Sequence, residues 1–438
     1  MDKFVIRGGN PLVGTIHASG AKNSALPCMA AAILTEDEIT LENIPQVRDI
    51  ETERRLLASM GALVELREGE AQDQTTICCR TLSDPVARYE IVKTMRASSL
   101  VLGPLIARTG MARVAMPGGC AIGGRPIDLH IKGLEKMGAT FTQEHGYLEA
   151  RVDPRVGRLR GTHLVFDKIT VTGTEDLLMA AVLAEGETLM ENCAREPEVA
   201  DLAALLTAMG AKIQGAGTAT MRVQGVTSLH GARYRIHPDR IEAGTFLIAG
   251  AITGGDLTVA DCNPSHLEFV IAKLREAGAN IEVLGADMIR VRADGKLNAA
   301  DISTEEYPGF PTDMQAQYMA LATQAVGVST VRENIFENRF MHVQELVRMG
   351  ANIKVEGNTA TVRGPARLSS AAVMCSDLRA SASLVLAALV AEGETIVDRV
   401  YHMDRGYERF EEKLSAVGAE IHRMGNVFTP RPEKVLAN

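Results

Sequence analysis

The fold is predicted from one stretch, PEVADLAALLTAMGAKI (residues 197–213), in which apolar residues recur at helical spacing up to a Gly-Ala step. Leu202, Leu205 and Met209 would lie on one face of a helix. Gly210 is placed to adopt the left-handed conformation that commonly ends a helix. The residues after it read as an extended segment, so the stretch predicts a helix, a glycine cap and a strand in succession.

The same Gly-Ala step ends a helical pattern six times along the chain, at intervals of 68 to 77 residues. The six glycines are Gly61, Gly138, Gly210, Gly278, Gly350 and Gly418. Self-similarity at a fixed interval is the signature of a repeated structural unit. We therefore predict six similar units that together fill the chain.

Each unit also contains a second helical run that is apolar nearly all round, and such a helix belongs in the interior. These runs cover residues 25–34, 98–107, 177–184, 243–252, 314–323 and 380–391. Most of them are followed by a turn and a short strand. Each unit is therefore predicted to combine strands with one buried and one surface helix, which is an α/β fold.

The register of the units predicts where the chain termini lie. Residues 4–8 match segments that elsewhere follow a Gly-Ala strand, but no such strand precedes them. The only unpaired Gly-Ala strand in the sequence is residues 419–422, at the opposite end. We therefore predict that the two termini pair with each other in one sheet.

Six units divided three and three predict two similar domains. The first would consist of residues 22–237, and the second of residues 1–21 together with 238–438. The chain would cross between them near residues 19–22 and 230–239. Substrates commonly bind between domains, so an active site is expected in the cleft.

Composition argues against several classes of function. The formal net charge of −9 disfavours binding to nucleic acid or to a membrane surface, which depends on surplus basic residues. The seven cysteines form no CxxC pair or metal-like cluster, which favours a reduced protein without a metal site. The N-terminus lacks the apolar run of a signal peptide, and no apolar run reaches the ~18 residues needed to span a bilayer. We expect a cytoplasmic protein.

A second informative stretch is MPGGCAIGGRP (residues 116–126). Its two glycine pairs between two prolines exclude a helix or central strand and predict a mobile loop. Cys120 lies five residues from Arg125, whose charge can favour the thiolate or orient an anionic substrate. The segment is a candidate catalytic lid, and the alternative is a connecting turn whose cysteine only packs.

The predicted N-termini of the buried helices carry ionisable residues. An acid such as Asp377 is explained there as an N-cap. Lys22, Arg96 and Arg379 differ, because a basic residue at a helix start opposes the helix dipole. A bound phosphate or carboxylate would explain all three.

Residues outside these motifs have structural explanations. The other six cysteines lack the paired glycines and the nearby arginine, so packing is their expected role. The acidic run Glu408, Glu411 and Glu412 predicts a solvated helix face.

Nine segments along the chain resemble the UDP-N-acetylglucosamine 1-carboxyvinyltransferase family of enolpyruvyl transferases. They are SGAKN (residues 19–23), KTMRAS (93–98), PGGCAIG (117–123), AREPE (194–198), PDRIE (238–242), FPTDMQAQ (310–317), IFENRFMH (335–342), DLRAS (377–381) and DRGYE (404–408). The resemblance implies an inside-out α/β barrel with two domains of three units each. It also implies transfer of the enolpyruvyl group of phosphoenolpyruvate to the 3'-hydroxyl of UDP-N-acetylglucosamine, with release of phosphate through a tetrahedral ketal. No cofactor and no metal are implied.

The resemblance also assigns roles to residues. Cys120 is implied as the acid that protonates the methylene carbon, and it could carry a phosphothioketal adduct. Asp313 is implied as the base that deprotonates the sugar hydroxyl or as the group that orients it. Lys22 stays an alternative donor of the proton to the methylene carbon. Residues implied to bind phosphoenolpyruvate are Lys22, Asn23, Arg125, Arg379 and Arg405. Those implied to bind UDP-N-acetylglucosamine are Arg96, Arg125, Pro126, Ile127, Asp128, Leu129, Lys168, Ile169, Thr170, Val171, Asp313 and Ile335. Supporting roles are implied for Glu196, Arg339 and Asp377.

Two alternative functions stay open. One is a sister enolpyruvyl transferase that acts on shikimate 3-phosphate, and the other is a catalytically silent paralogue that binds a nucleotide sugar. In each case the expected partners are small molecules, without nucleic acid or membrane, and a monomer is the expected state.

Overall fold

The computed structural model describes residues 2–67, 74–116, 127–294 and 296–425 of the 438-residue chain. Residues 117–126 of the predicted lid, among them Cys120, Arg125 and Pro126, lie outside the described residues. The described part of the chain divides into two compact units. The first unit consists of residues 20–116 and 127–237, and the second of residues 2–19 and 238–425.

Short strands and helices alternate along the described ranges. The strands are β1 (Lys3–Arg7), β2 (Val13–His17), β3 (Glu38–Glu42), β4 (Leu63–Arg67), β5 (Gln74–Cys78), β6 (Val86–Ala87), β7 (Met111–Ala115), β8 (Ala139–Glu144), β9 (Tyr147–Val152), β10 (His163–Val165), β11 (Glu187–Glu191), β12 (Lys212–Gln214), β13 (Thr220–Gln224), β14 (Ala232–Arg235), β15 (Asp256–Ala260), β16 (Asn280–Val283), β17 (Met288–Arg292), β18 (Leu297–Asn298), β19 (Ile302–Ser303), β20 (Ala325–Arg332), β21 (Asn352–Glu356), β22 (Thr359–Gly364), β23 (Ala372–Met374), β24 (Glu394–Asp398) and β25 (Glu420–Met424). The α-helices are α1 (Lys22–Ala31), α2 (Arg48–Ser59), α3 (Tyr89–Val92), α4 (Leu102–Thr109), α5 (Asp128–Lys136), α6 (Val171–Ala181), α7 (Pro197–Ala208), α8 (Arg240–Ile252), α9 (Glu268–Glu276), α10 (Gln315–Ala322), α11 (Val343–Arg348), α12 (Leu378–Ala388) and α13 (Phe410–Ser415). Turns of 3-10 helix occur at Ala32–Leu34, Arg96–Val101, Pro264–His266, Thr312–Met314 and Val400–Arg405. Across the described ranges, no helix combines the length and the apolar character that a bilayer crossing requires.

The three sheets of the first unit share one strand pattern. Their orders are β14-β3-β5-β4, β6-β7-β9-β8 and β10-β11-β13-β12. In each sheet the first pair is parallel and the next two pairs are antiparallel. β14 comes from the end of this unit and pairs with β3 near its beginning, so the chain of the unit returns to its starting sheet.

The second unit repeats this pattern with β2-β15-β17-β16, β18-β20-β22-β21 and β23-β24-β1-β25, and β19 also pairs with β20. In the last sheet, the N-terminal strand β1 is antiparallel to both β24 and β25. Ile6 lies opposite Ile421 in this ladder. The predicted pairing of the two termini is therefore confirmed.

The six predicted apolar runs form the buried helices of the two units. α1, α4 and α6 lie in the core of the first unit, while α8, α10 and α12 lie in that of the second. Every residue of α8 and of α10 is buried. α4 packs against α6, and α10 packs against α12. The predicted α/β fold with buried helices is confirmed.

The six Gly-Ala steps end helices as predicted. All six glycines have φ between +93° and +104°, a backbone conformation that residues with a Cβ rarely adopt. Each glycine therefore lets the chain turn from its helix into the following strand.

Candidate active site

The described candidate residues fall into two groups, one in each unit. The first unit holds Lys22, Asn23, Arg96, Ile127, Asp128, Leu129, Lys168, Ile169, Thr170, Val171 and Glu196. The second unit holds Asp313, Ile335, Arg339, Asp377, Arg379 and Arg405.

Lys22 begins α1 as a buried cation with a protein counter-ion. Its Nζ donates to Oδ2 of Asp49 at 3.0 Å, and Asp49 is buried in the first turn of α2. A carboxylate in that turn is favoured by the helix dipole. Asn23 follows on α1 and is half-buried. Sequence reasoning missed Asp49, because an acid in the first turn of a helix already has an ordinary explanation.

A second carboxyl group lies one turn further along α2. Glu53 is fully buried, and this burial, with a smaller contribution from the negative charge of Asp49, raises its pKa to about 8. Glu53 is therefore mostly protonated at neutral pH. The charge of Asp49 is left to interact with Lys22.

The predicted nucleotide-sugar segments meet at the starts of α5 and α6. Thr170 caps α6, where its side-chain oxygen accepts from the Gly173 N–H at 3.1 Å. The two helices are joined by His130, whose Nδ1 lies 2.9 Å from Oδ2 of Asp176. Oδ1 of Asp176 accepts from the Gly103 N–H at 2.7 Å. These buried contacts hold α4, α5 and α6 together beneath the candidate residues.

A cavity of about 500 Å³ opens beside these segments in the first unit. Leu129 of α5, Val165 of β10 and Leu177 of α6 line it, and Lys132 and Asp167 also contribute to its wall. The volume is within the range of small-molecule sites. The structure thus brings the predicted residue Leu129 to a cavity of suitable size.

Arg96 and Glu196 also lie at helix starts in the first unit. Arg96 is half-buried and begins the 3-10 turn before α4. Glu196 is buried at the N-cap position of α7, and its side chain does not cap the helix. Burial, together with the charges of Glu198 and Glu196, raises the pKa of the neighbouring Glu175 well above its usual value.

Asp313 is the centre of the candidate residues in the second unit. Its Oδ1 accepts from Nη2 of Arg339 at 2.7 Å, and its Oδ2 accepts from Nη2 of Arg379 at 2.9 Å. The two arginine side chains are 5% exposed, whereas that of Asp313 is 26% exposed. The carboxylate is therefore held in a fixed orientation from its buried side and is accessible from the other.

Arg379 is placed by the start of α12. Asp377 caps this helix and accepts from the N–H groups of Arg379 and Ala380 at 2.9 and 3.0 Å. Burial opposes the charge of Arg379, but the combined effect of Asp313, Tyr407 and Asp239 outweighs burial and raises the pKa of Arg379. Nη1 of Arg379 is buried and makes no hydrogen bond to the described residues.

Arg405 ends the 3-10 turn Val400–Arg405 and is half-buried. The preceding residue, Asp404, accepts from Arg423, whose side chain is 6% exposed, at 2.6 and 3.2 Å. Arg423 also binds Glu411. Glu411 is buried, so the prediction of a solvated acidic face is wrong for this residue, because the sequence does not reveal its distant cationic partner.

Six cysteines lie in the described ranges, and five of them are buried. Burial raises the pKa of Cys193 to about 11 and those of Cys79, Cys262 and Cys375 to about 12. The pKa of Cys28 is raised still further above its usual value, again mainly by burial. These five thiols are protonated at neutral pH, and packing is the role that their surroundings indicate.

The described residues contain no group of three or more His, Cys, Asp or Glu side chains arranged to hold a metal ion.

Comparison with known proteins identifies the class of fold. Residues 6–414 match the profile of the family described as EPSP synthase (3-phosphoshikimate 1-carboxyvinyltransferase). The structure resembles the enolpyruvyl transferase NikO from Streptomyces tendae with a TM-score of 0.84, at 24% identity over 97% of this chain and 99% of that chain. It resembles EPSP synthase from Acinetobacter baumannii with a TM-score of 0.72, at 18% identity over 97% and 100% of the two chains. The fold is that of the enolpyruvyl transferases.

Sequence relatives narrow the class further. The chain is 76% identical to UDP-N-acetylglucosamine 1-carboxyvinyltransferase of Acidobacterium capsulatum, over 99% of this chain and 98% of the relative. It is 69% identical to the protein of that name from Koribacter versatilis, over 99% of both chains. The chain belongs to the UDP-N-acetylglucosamine 1-carboxyvinyltransferase family. The resemblance seen in the nine sequence segments is confirmed.

Proposed function

We propose that the protein transfers the enolpyruvyl group of phosphoenolpyruvate to the 3'-hydroxyl of UDP-N-acetylglucosamine and releases phosphate, in peptidoglycan synthesis. Relatives of this name match the chain along essentially its whole length at up to 76% identity, whereas the EPSP synthase structure is only 18% identical. The structural observation that carries the proposal is the Asp313 carboxylate oriented by Arg339 and Arg379. The two alternative functions are not favoured.

The reaction requires a proton acceptor beside the sugar hydroxyl and a proton donor beside the methylene carbon. Asp313 would accept a hydrogen bond from the hydroxyl. It would take the proton as the new C–O bond forms and the hydroxyl becomes more acidic. Cys120 would protonate the methylene carbon, with Lys22 as the alternative donor. Loss of phosphate and of a proton from the newly formed methyl group of the tetrahedral ketal restores the C=C bond and gives the enol ether.

Phosphoenolpyruvate carries a carboxylate and a phosphate close together, so several cations are needed to bind it. We assign this role to Lys22, Arg125, Arg379 and Arg405, with Asn23 beside them. The buried Nη1 of Arg379 supports the assignment, because a substrate oxygen would satisfy it. Lys22 would exchange part of its interaction with Asp49 for a substrate oxygen.

The nucleotide sugar would contact residues at the helix starts of the first unit together with Asp313 and Ile335. These first-unit residues are Arg96, Arg125, Pro126, Ile127, Asp128, Leu129, Lys168, Ile169, Thr170 and Val171. The cavity lined by Leu129 supports this assignment. Glu196, Arg339 and Asp377 would support the site.

The finer architecture is part of the same proposal. Three sheets and three buried helices in each unit support an inside-out α/β barrel with domains of residues 22–237 and of residues 1–21 plus 238–438. Cytoplasmic localisation and a monomeric state stay predictions from the sequence.

The decisive measurement is phosphate release from phosphoenolpyruvate with UDP-N-acetylglucosamine and, separately, with shikimate 3-phosphate. Release is expected only with the nucleotide sugar, and release only with shikimate 3-phosphate would refute the proposal. Asp313→Asn should lower kcat by about 10² to 10⁴, the usual contribution of a general base. Asp256→Asn is the matched control, since Asp256 also pairs with an arginine but lies outside the candidate residues, with its side chain 40% exposed, and it should leave kcat unchanged.

Covalent labelling tests the thiol. Fosfomycin, an epoxide phosphonate that mimics phosphoenolpyruvate, should alkylate Cys120, and Cys120→Asp should abolish the labelling. The buried thiols of Cys28, Cys79 and Cys193 should stay unmodified, because their raised pKa leaves almost no thiolate. Peptide mass spectrometry that located the adduct on one of these three would contradict the assignment.

A further inference from the structure

One buried carboxylate in the second unit connects two segments that the proposed function uses. Glu333 directly follows β20 and is 3% exposed. Its Oε1 accepts from the N–H groups of Ile335 at 2.9 Å and Phe336 at 3.1 Å, and from Oγ1 of Thr304 at 2.9 Å. Its Oε2 accepts from Oγ1 of Thr312 at 2.9 Å. Four donors thus converge on one carboxyl group.

The local part of this arrangement has an ordinary explanation. A side chain that accepts from the N–H groups two and three residues ahead is a common way to form a turn. The bond from Thr312 is different, because 21 residues separate it from Glu333. No turn requires that bond, and it joins the loop after β20 to a separate 3-10 turn.

The two segments joined in this way each carry a candidate substrate residue. Thr312 begins the 3-10 turn Thr312–Met314, which presents Asp313. Ile335 lies on the loop after β20 and is a candidate contact of the nucleotide sugar. Since hydrogen bonds to a charged group are stronger than neutral ones, Glu333 is well suited to hold both segments in a fixed relation.

We propose that Glu333 is a positioning residue that sets the Asp313 turn and the Ile335 loop relative to each other. This inference rests on the proposed function, which gives Asp313 and Ile335 their roles. Arg339 and Arg379 orient Asp313 by hydrogen bonds to its carboxylate. Glu333 acts instead on the backbone turn that carries Asp313, through its hydrogen bond from Thr312. Glu333 itself makes no contact with substrate in this scheme.

Thr312 and Thr304 allow the two connections to be cut separately. Thr312→Val removes the hydroxyl bond to the Asp313 turn with little change of shape. Thr304→Val is the matched variant, because Thr304 donates to the same carboxyl group at the same distance as Thr312. Unlike Thr312, Thr304 also accepts from the N–H of Asn334, next to Ile335, at 2.9 Å. It therefore loosens the Ile335 loop instead.

Steady-state kinetics should separate the two variants. Thr312→Val should lower kcat about tenfold, since misplacement of a reacting group costs rate, and should leave KM for UDP-N-acetylglucosamine within about twofold. Thr304→Val should raise that KM about tenfold and leave kcat within about twofold. Wild-type parameters in both variants, or equal losses that follow a fall in Tm, would overturn the inference.

Variants of Glu333 supply the rescue test. In Glu333→Gln the amide oxygen can still face the backbone N–H groups, and the Thr312 hydroxyl can turn to accept from the amide nitrogen. This variant should keep kcat/KM within about threefold of wild type, whereas Glu333→Ala should lose about 100-fold. Equal losses in the two variants would overturn the inference. Wild-type protein that releases no phosphate would instead refute the proposed function, so the two failures are distinct.

Discussion

Replacing Arg423 by methionine is expected to destabilise the second unit strongly. Arg423 lies on β25 and donates to Asp404 at 2.6 and 3.2 Å and to both oxygens of Glu411. The three side chains are only 6 to 7% exposed, and the guanidinium lies 4.9 Å from the ring centre of Phe4. Methionine would preserve much of the apolar packing but remove the guanidinium that both buried carboxyl groups share.

The expected magnitude follows from this burial. Removing one partner of a buried ion pair typically costs about 3 to 5 kcal/mol, because the remaining charge stays buried and uncompensated. For a unit of this size, each kcal/mol lowers Tm by about 2 to 4 °C, so the expected decrease is roughly 6 to 20 °C. Arg367→Met is the matched control. Arg367 binds Glu392 with similar geometry, at 2.6 and 2.8 Å, but its side chain is 83% exposed, and exposed ion pairs contribute little to stability.

Urea denaturation and calorimetry of both variants would measure the effect. Equal changes of Tm in Arg423→Met and Arg367→Met would refute the reasoning, because burial would then make no difference.

Two further predictions concern stability. Burial lowers the pKa of His342 in the folded protein to about 4. As pH falls, the unfolded chain therefore binds a proton at this residue before the folded protein does. The unfolding free energy should accordingly decrease as pH falls from 6.5 towards 4. About 2 kcal/mol should disappear between pH 7 and pH 5 in urea denaturation, and His342→Gln should remove this part; an unchanged acid dependence would contradict it. A Cβ on Gly20 would lie 1.7 Å from the backbone oxygen of Asn43, so Gly20→Ala should cost at least about 2 kcal/mol. Gly138→Ala, with open space but φ of +99°, should cost about 1 kcal/mol, and an equal loss in both variants would show that the backbone contact is unimportant.

The repeated architecture could be predicted because its causes are local. Helical spacing of apolar residues, a glycine at each helix end and apolar runs without a polar face are all properties of short segments. Each of the six glycines has the expected positive φ. The pairing of β1 with β25 was also predictable. The segment at residues 4–8 lacks the Gly-Ala strand that precedes it in other units, and the Gly-Ala strand at residues 419–422 lacks a following partner.

The candidate residues were predictable as types and as positions on helix starts. Asp377 caps α12, as its position before an apolar run indicated. Lys22 and Arg379 were singled out because a basic residue opposes the helix dipole. The sequence did not reveal which groups balance these two positive charges. In the structure they are carboxylates, with Asp49 beside Lys22 and Asp313 beside Arg379.

The sequence by itself determined the repeated units, their caps and the chemical types of the candidate residues. Only the tertiary structure decided the partners: Asp49 for Lys22, Thr312 for Glu333, and Arg423 for Glu411. The physical reason is that periodicity and capping act between neighbours along the chain. An ion pair or hydrogen bond depends on which distant segments packing brings together. From the sequence alone, any of the 46 basic and 55 acidic residues could have been the partner in an ion pair.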